Sequence, residues 1–240
     1  MDIYKVQSWG PAVGIGVTQS KHLHLAAIGK TNDAHNPYYV VNELVAAEIG
    51  RRLRLPVPPN CVVQNDDGMP FFASLNFNLT GDSLPPIIPE RFRDTFTECC
   101  ADVIVFDAYI CNGDRHTRNL SADYSPPARY NLFDHSHALL GSGNAGIQRL
   151  ETLKENLGIG GHCLTAMVTD DRHFDRILKR VEGLEEYFIR DVVESSEEYG
   201  LKPEERKRFL EFLLQRQHMV RTLLSGQKSI FTGVTQWSLL

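Results

Sequence analysis

Residues 111–137 read CNGDRHTRNLSADYSPPARYNLFDHSH. This is the densest run of polar side chains in the chain, and its setting decides the fold class. From Pro89 onward, Phe92, Phe96, Cys100 and Val103 repeat every three or four residues, which predicts a helix ending near Cys111-Asn112-Gly113. A short loop, GDRHTRN, follows, and YNLFD then reads as a strand. Helix, tight loop and strand gather Asp114, His116, Asn119 and Asp134 into one neighbourhood.

Upstream of this core the chain looks different. WGPAVGIGVTQS reads as a glycine-punctuated turn or loop, and HLHLAAIG as a strand with partial alternation. Asn36-Pro37 opens a run in which Val41, Leu44, Val45, Ile49 and Leu53 fall at helical spacing, and Pro56, Pro58 and Pro59 stop it. CVVQ and MPFFASLNF read as two strands joined by the turn Asn65-Asp66-Asp67-Gly68. Downstream of the glycine-rich patch from Gly141 to Gly146 the pattern is mostly helical. Pro203 stands at a helix start, and Phe209, Leu213, Val220 and Leu224 form an apolar stripe. The order of strands, one helix and then a helical block predicts an α+β chain of two lobes, joined near Asn76 to Asp82.

The chain has 240 residues, 42% of them apolar and 23% charged, enough for a substantial core and too apolar for disorder. The apolar stretch from Val103 to Ile110 is broken by Asp107, so no membrane span is expected, and the N-terminus lacks the regions of a secretory signal. A net charge of −5 argues against direct nucleic-acid binding through bulk charge. The basic patch Arg51, Arg52 and Arg54 sits at a helix end, where cations suit the helix dipole. Cys61, Cys99, Cys100, Cys111 and Cys163 form no CxxC pair, and read as small buried thiols in a cytoplasmic, reducing compartment. Cys99 and Cys100 are expected in mid-helix.

Asp114 and Asn119 stand five apart, and Asp134 follows Asn119 by fifteen at the end of an apolar strand. A carboxylate base, a metal-binding amide and a metal-binding carboxylate, in that order, are what phosphoryl transfer needs. A tight loop aims one side chain at the acceptor hydroxyl and another at Mg²⁺, and a strand end brings a second carboxylate to the same ion. Mg²⁺ takes hard oxygen ligands and only a few from protein, so one amide and one carboxylate suffice. The bland alternative is a turn at Asn112-Gly113-Asp114 with Asp134 as a strand-end cap. The helix-loop-strand setting and the downstream FDHS weigh against it.

FDAYICNGDRHTRNL followed by LFDHSHAL resembles the HipA-like kinases and, more distantly, the phosphoinositide-kinase catalytic loop with its GDRH. VNELVAAEIGRRLRLPVPP, ILKRVEGLEEYFIRDVVES and ERKRFLEFLLQRQHMVRTLL extend the likeness from Val41 to Leu224. The resemblance implies a bilobal, protein-kinase-like α+β fold. Residues 1–78 would form a small β-rich N-lobe with one helix, and 79–240 a mostly helical C-lobe carrying the catalytic and metal-binding loops. It implies an ATP- and Mg²⁺-dependent kinase acting on a hydroxyl of a protein Ser/Thr, in itself or another protein, with a lipid or small-molecule acceptor as the alternative. A small neutralising partner protein is a further implication.

Carried over by position, Asp114 is the catalytic base, Asn119 binds Mg²⁺ and Asp134 holds the metal that bridges the phosphates. His116 positions the loop, and Asp107 is a buried acceptor for it. Lys30 is the candidate lysine for the α- and β-phosphates, with Glu43 as its helix partner and Glu48 as the fallback. The stretch from Thr18 to Lys30 is short for the strand hairpin expected before that lysine. Because Lys30 follows Gly29, a surface-turn lysine is an equal alternative. GPAVGIGVTQS is the candidate phosphate-covering loop, with the amides of Gly14, Gly16 and Val17 near the phosphates and Thr18 or Ser20 as sites of autophosphorylation. The adenine is expected against Leu75 to Phe77.

Two rivals compete. A zinc hydrolase would draw on Asp134, His135 and His137, with His116, His162 and Cys163 as further ligands, the HxH placing both imidazoles on one strand face. A non-catalytic module would keep the fold and bind nucleotide or protein without transfer.

Overall fold

The computed structural model describes residues 4–14, 20–77 and 86–240. Gly16, Val17 and Thr18, and most of the expected junction between the lobes, lie outside them.

The N-terminal part is built on two small antiparallel sheets. Strands β1 (Val6–Ala12) and β2 (Lys21–Leu25) pair as a hairpin, closed by the Val13 amide donating to Ser20 O at 3.0 Å. The WGPA expected in a loop is therefore strand. The chain bends at Ala26, and β3 (Ala27–Thr31) joins a second sheet in the order β3-β5-β4, with β4 (Asn60–Gln64) and β5 (Pro70–Leu75). A hairpin thus does precede the lysine strand, and Lys30 lies inside β3 rather than on a surface turn. The expected turn joins β4 to β5, with the Gly68 amide on Asn65 O at 2.9 Å and Gly68 at φ +76°, a backbone that suits glycine.

Side-chain alternation places the site. In β3 and β5, Lys30 pairs with Phe72 and Ile28 with Ser74, so these four share one face of the sheet. Helix α1 (Tyr39–Arg52) packs on that face through Val40 and Ala47, which touch Phe72. Glu43 lies between them, three residues after Val40 and four before Ala47, so helical periodicity delivers a carboxylate to the lysine side of the sheet. Val41, Val45 and Ile49 occupy another stripe of α1 and enter the main core.

The run from Pro89 to Cys111 is two helices, α2 (Pro89–Thr95) and α3 (Cys99–Tyr109), not one. Cys99 and Cys100 begin α3 instead of sitting in its middle. Residues Cys100 to Tyr109 are all buried, because α3 is the central helix of the larger core. Strands β6 (Leu120–Asp123) and β7 (Arg129–Leu132) form a two-stranded ribbon beyond it. Four helices follow: α4 (Ile147–Leu153), α5 (His173–Glu182), α6 (Glu186–Glu194) and α7 (Pro203–Gly226). Pro203 opens α7 as expected, and the Glu205 carboxylate accepts the Lys202 amide at 2.9 Å. Phe209, Leu213, Val220 and Leu224 are buried. Among the described residues no helix is long and apolar enough to cross a membrane.

Candidate active site

A cleft of about 220 Å³ lies between the β3-β5 face and the end of β7. Ile28, Val57, Phe72 and Leu132 give it apolar walls, and Lys30, Glu43 and Asp134 form its charged end. Leu75 and Phe77, the expected adenine segment, line it too, with the Phe77 ring 5.1 Å from that of Phe133.

Lys30 is the hub. Its Nζ donates to Glu43 Oε1 at 2.6 Å and to Asp134 Oδ1 at 2.5 Å. Burial alone would lower the lysine pKa, but the two carboxylates outweigh it and the ammonium is held above its ordinary range. Glu43 is buried, which would raise its pKa. The His135 ring beside it and the Lys30 charge reverse this and hold the carboxyl below its usual range. Asp134 is likewise lowered against its burial, by Lys30 and by the Ser136 hydroxyl donating at 2.8 Å.

Local backbone explains how Asp134 reaches the lysine. At φ +60° it leaves β7 through the left-handed region, which aspartate tolerates better than branched residues. The strand stops there, so His135 and His137 do not share a strand face. His135 turns inward, with Nδ1 3.5 Å from Glu43 Oε2. His137 is half-exposed, with Nδ1 3.4 Å from Asp114 Oδ2 and Nε2 3.3 Å from the Tyr39 hydroxyl.

The catalytic-loop candidates hang on Arg115 and Asp107. Arg115, wholly buried, donates from Nε to Asp107 Oδ2 at 2.7 Å and from Nη2 to Asp107 Oδ1 at 3.0 Å. Its Nη1 donates to Asn119 O at 2.6 Å and Phe133 O at 2.8 Å. One guanidinium therefore ties the 114–119 loop to the residue before Asp134. Asp107 also accepts from the Asn112 amide at 3.0 Å and lies 3.0 Å from His162 Nε2. Burial opposes its charge, yet Arg115 and His162 hold its carboxyl far below the usual range.

Asn119 is buried and its Nδ2 donates to Asp114 O at 2.9 Å, which directs the amide oxygen elsewhere. His116 is exposed; its Nδ1 accepts the Arg118 amide at 3.1 Å and caps the single 3-10 turn Thr117–Asn119. Gly14, at φ +72°, follows β1 and is not among the residues that line the cleft. Glu48 pairs with Arg51 instead of Lys30.

The zinc reading fails on these contacts. Among the described residues no three His, Cys, Asp or Glu groups are assembled to hold a metal. His116 caps a turn, His162 serves Asp107, and burial pushes the Cys163 thiol up to about 11.

The sequence reading gave no role to Arg115, Asn42 or Tyr39. Arg115 lay inside the quoted motif, but its pairing with Asp107 joins a helix to a loop and leaves no periodic trace. Asn42 did carry a signal, an amide on the otherwise apolar 42-46-49-53 stripe.

No protein-family model matches the chain, and no curated protein is significantly similar in sequence. Solved structures do match. The Helicobacter pylori proinflammatory kinase CtkA aligns at a TM-score of 0.58 and 14% identity, over 95% of this chain and 97% of that one. HipA of Shewanella oneidensis MR-1, solved as a toxin–antitoxin complex with HipB and operator DNA, aligns at a TM-score of 0.49 and 14% identity, over 88% of this chain and 62% of that one. At this identity the likeness speaks to architecture, and CtkA carries it over nearly the whole of both chains. The chain has the mixed α/β fold of the kinase CtkA.

Proposed function

We propose that the protein is an ATP- and Mg²⁺-dependent kinase that transfers the γ-phosphate to a hydroxyl, most simply a protein Ser or Thr in itself or another protein. The observation that carries this reading is the double pairing of Lys30 with Glu43 and Asp134 at the charged end of an apolar cleft. Residues 1–78 act as the nucleotide-binding lobe and 79–240 as the lobe bearing the catalytic and metal-binding loops.

In this reading Lys30, held charged and oriented by Glu43, contacts the α- and β-phosphates while the apolar walls take the base. The donor set suits Mg²⁺. Lys30 and Ser136 both engage Asp134 Oδ1, which leaves Oδ2 without a partner among the described residues, and Asn119 Oδ1 is a second hard oxygen. When bound there, Mg²⁺ neutralises charge developing on the phosphates. Asp114 accepts and orients the acceptor hydroxyl, and His137 and the Asn119 amide hold it in place. The five free thiols fit a reducing, cytoplasmic setting. A small neutralising partner protein belongs to the same reading.

The test is transfer of radiolabel from the γ-position of ATP, with Mg²⁺, to the protein itself and to a mixed Ser/Thr protein acceptor. Wild type should label Ser or Thr, and Asp114→Asn should bind nucleotide but lose transfer by roughly 10²-fold or more. Wild type that binds Mg-ATP without forming ADP or phosphoprotein would make the chain a kinase-like binding module instead.

A further inference from the structure

The residues after Asp134 fold back on α1 in a way the phosphate-binding set does not explain. Asn42 is fully buried on a stripe of α1 that faces the apolar core, where an amide persists only if it is satisfied. Its Nδ2 donates to Ser136 O at 2.7 Å and to Gly141 O at 3.1 Å, and its Oδ1 accepts the Leu140 amide at 3.1 Å. Both N–H groups and one oxygen lone pair are thus spent on a single six-residue stretch that begins two residues after Asp134. Glu43, the next residue of α1, holds Lys30 and approaches His135. Asn36, just before the helix, accepts the Gly143 amide at 3.2 Å.

The stretch is two tight turns, with the Ala138 amide on His135 O at 2.9 Å and the Gly141 amide on Ala138 O at 2.8 Å, and its backbone needs outside support. Asp134 and Leu139 are both non-glycine residues at positive φ, +60° and +49°, a backbone that persists only where the surroundings enforce it. Leu139 is held by its amide on Ile110 O at 2.7 Å and by Arg149 on its carbonyl, and Asp134 by Lys30 and Ser136, while Asn42 and Asn36 fasten the turns between and after them to α1 and its approach. Asn32 in turn fixes the start of α1, accepting the Val40 amide at 2.9 Å and donating to Tyr199 O at 3.3 Å.

We propose that Asn42 is a positioning residue that locks the Asp134 segment to α1, so that Lys30, Glu43 and Asp134 stand assembled in the resting chain without a separate ordering step. The consequence for Mg-ATP rests on the proposed role of Asp134; the lock itself does not. A role in packing alone would lower stability and leave the metal response of a folded variant unchanged.

Two measurements on the full chain separate these cases. Amide hydrogen exchange without nucleotide should show residues 138–143 exchanging about tenfold or more faster in Asn42→Ala than in wild type, and Asn36→Ala, at a half-buried site, should show a smaller rise confined to Gly143 and its neighbours. In calorimetry, the factor by which Mg²⁺ tightens ATP binding should fall about tenfold in Asn42→Ala, with metal-free ATP affinity kept within about twofold. A folded Asn42→Ala with wild-type exchange and a wild-type Mg²⁺ factor overturns the proposal. If Asn42→Ala does not fold, an Asn36→Ala protein with wild-type exchange at Gly143 and a wild-type Mg²⁺ factor overturns it. Should wild type itself show no Mg²⁺-dependent ATP binding, the proposed function falls, and unchanged exchange in Asn42→Ala would then remove the lock as well.

Discussion

Replacing Arg115 by Met should be among the most damaging single changes in the helical part of the chain. Arg115 and Asp107 are both completely buried, and the guanidinium makes two hydrogen bonds to the carboxylate and two more to the carbonyls of Asn119 and Phe133. Removing one member of such a pair strands the other charge in the core, at about 3–5 kcal/mol. For a chain of this length each kcal/mol moves the midpoint by about 2–4 °C, so Tm should fall by roughly 6–20 °C. Urea denaturation followed by circular dichroism checks this, with an unchanged m value marking a loss of stability rather than of cooperativity. Removing both charges in Arg115→Met/Asp107→Leu should restore part of the loss, since no lone charge then remains buried. The sign with pH follows from Asp107. Burial opposes its ionisation, but Arg115 and His162 depress its folded pKa, so its contribution is present above the unfolded value of about 4 and is lost as pH falls toward the folded one. The stability gap between wild type and variant should therefore be large at pH 7 and narrow as pH falls, because the buried Asp107 of the variant, without Arg115, takes up a proton more readily than that of wild type. An Arg115→Met protein within about 1 kcal/mol of wild type would refute the reasoning.

Lys30→Met removes the partner of both Glu43 and Asp134, whose folded pKa values the lysine helps to depress. The variant should be less stable than wild type at pH 7, with a difference that narrows as pH falls through the carboxylate range; a difference independent of pH between 4 and 7 would contradict the pairing. The same variant should bind ATP roughly tenfold or more weakly, by calorimetry. Alkylation of the native protein at pH 8, read by mass spectrometry, should modify exposed Cys61 first, because burial holds the Cys100 thiol up at about 12 and that of Cys163 at about 11; early labelling of Cys100 would place α3 wrongly.

What was legible in the sequence is what repeats or punctuates. The α1 stripe, the Asn65–Gly68 turn and Pro203 at the head of α7 all announce themselves locally, and each is found where expected. The Pro89–Cys111 run misled because its apolar spacing continues across the break between α2 and α3, where Phe96 still packs against Phe92. For Lys30 the sequence leaves a strand lysine and a surface-turn lysine open, because Gly29 precedes it. Its cross-strand partner Phe72, far away in sequence, is what makes that segment a strand. The same limit applies at the site. Asp114, Asn119 and Asp134 stand out by type and spacing, whereas Arg115 on Asp107 and Asn42 on the 136–141 stretch are contacts between distant segments, and only the fold brings them together.

The central claim is a metal-assisted nucleotide site built on Lys30, Glu43, Asn119 and Asp134. Calorimetric titration of ATP into wild type and Asp134→Ala, each with and without Mg²⁺, tests it most directly. The account predicts binding that Mg²⁺ tightens in wild type and a Mg²⁺ effect lost in Asp134→Ala. Wild-type binding indifferent to Mg²⁺, or a Mg²⁺ effect that survives Asp134→Ala, would contradict it.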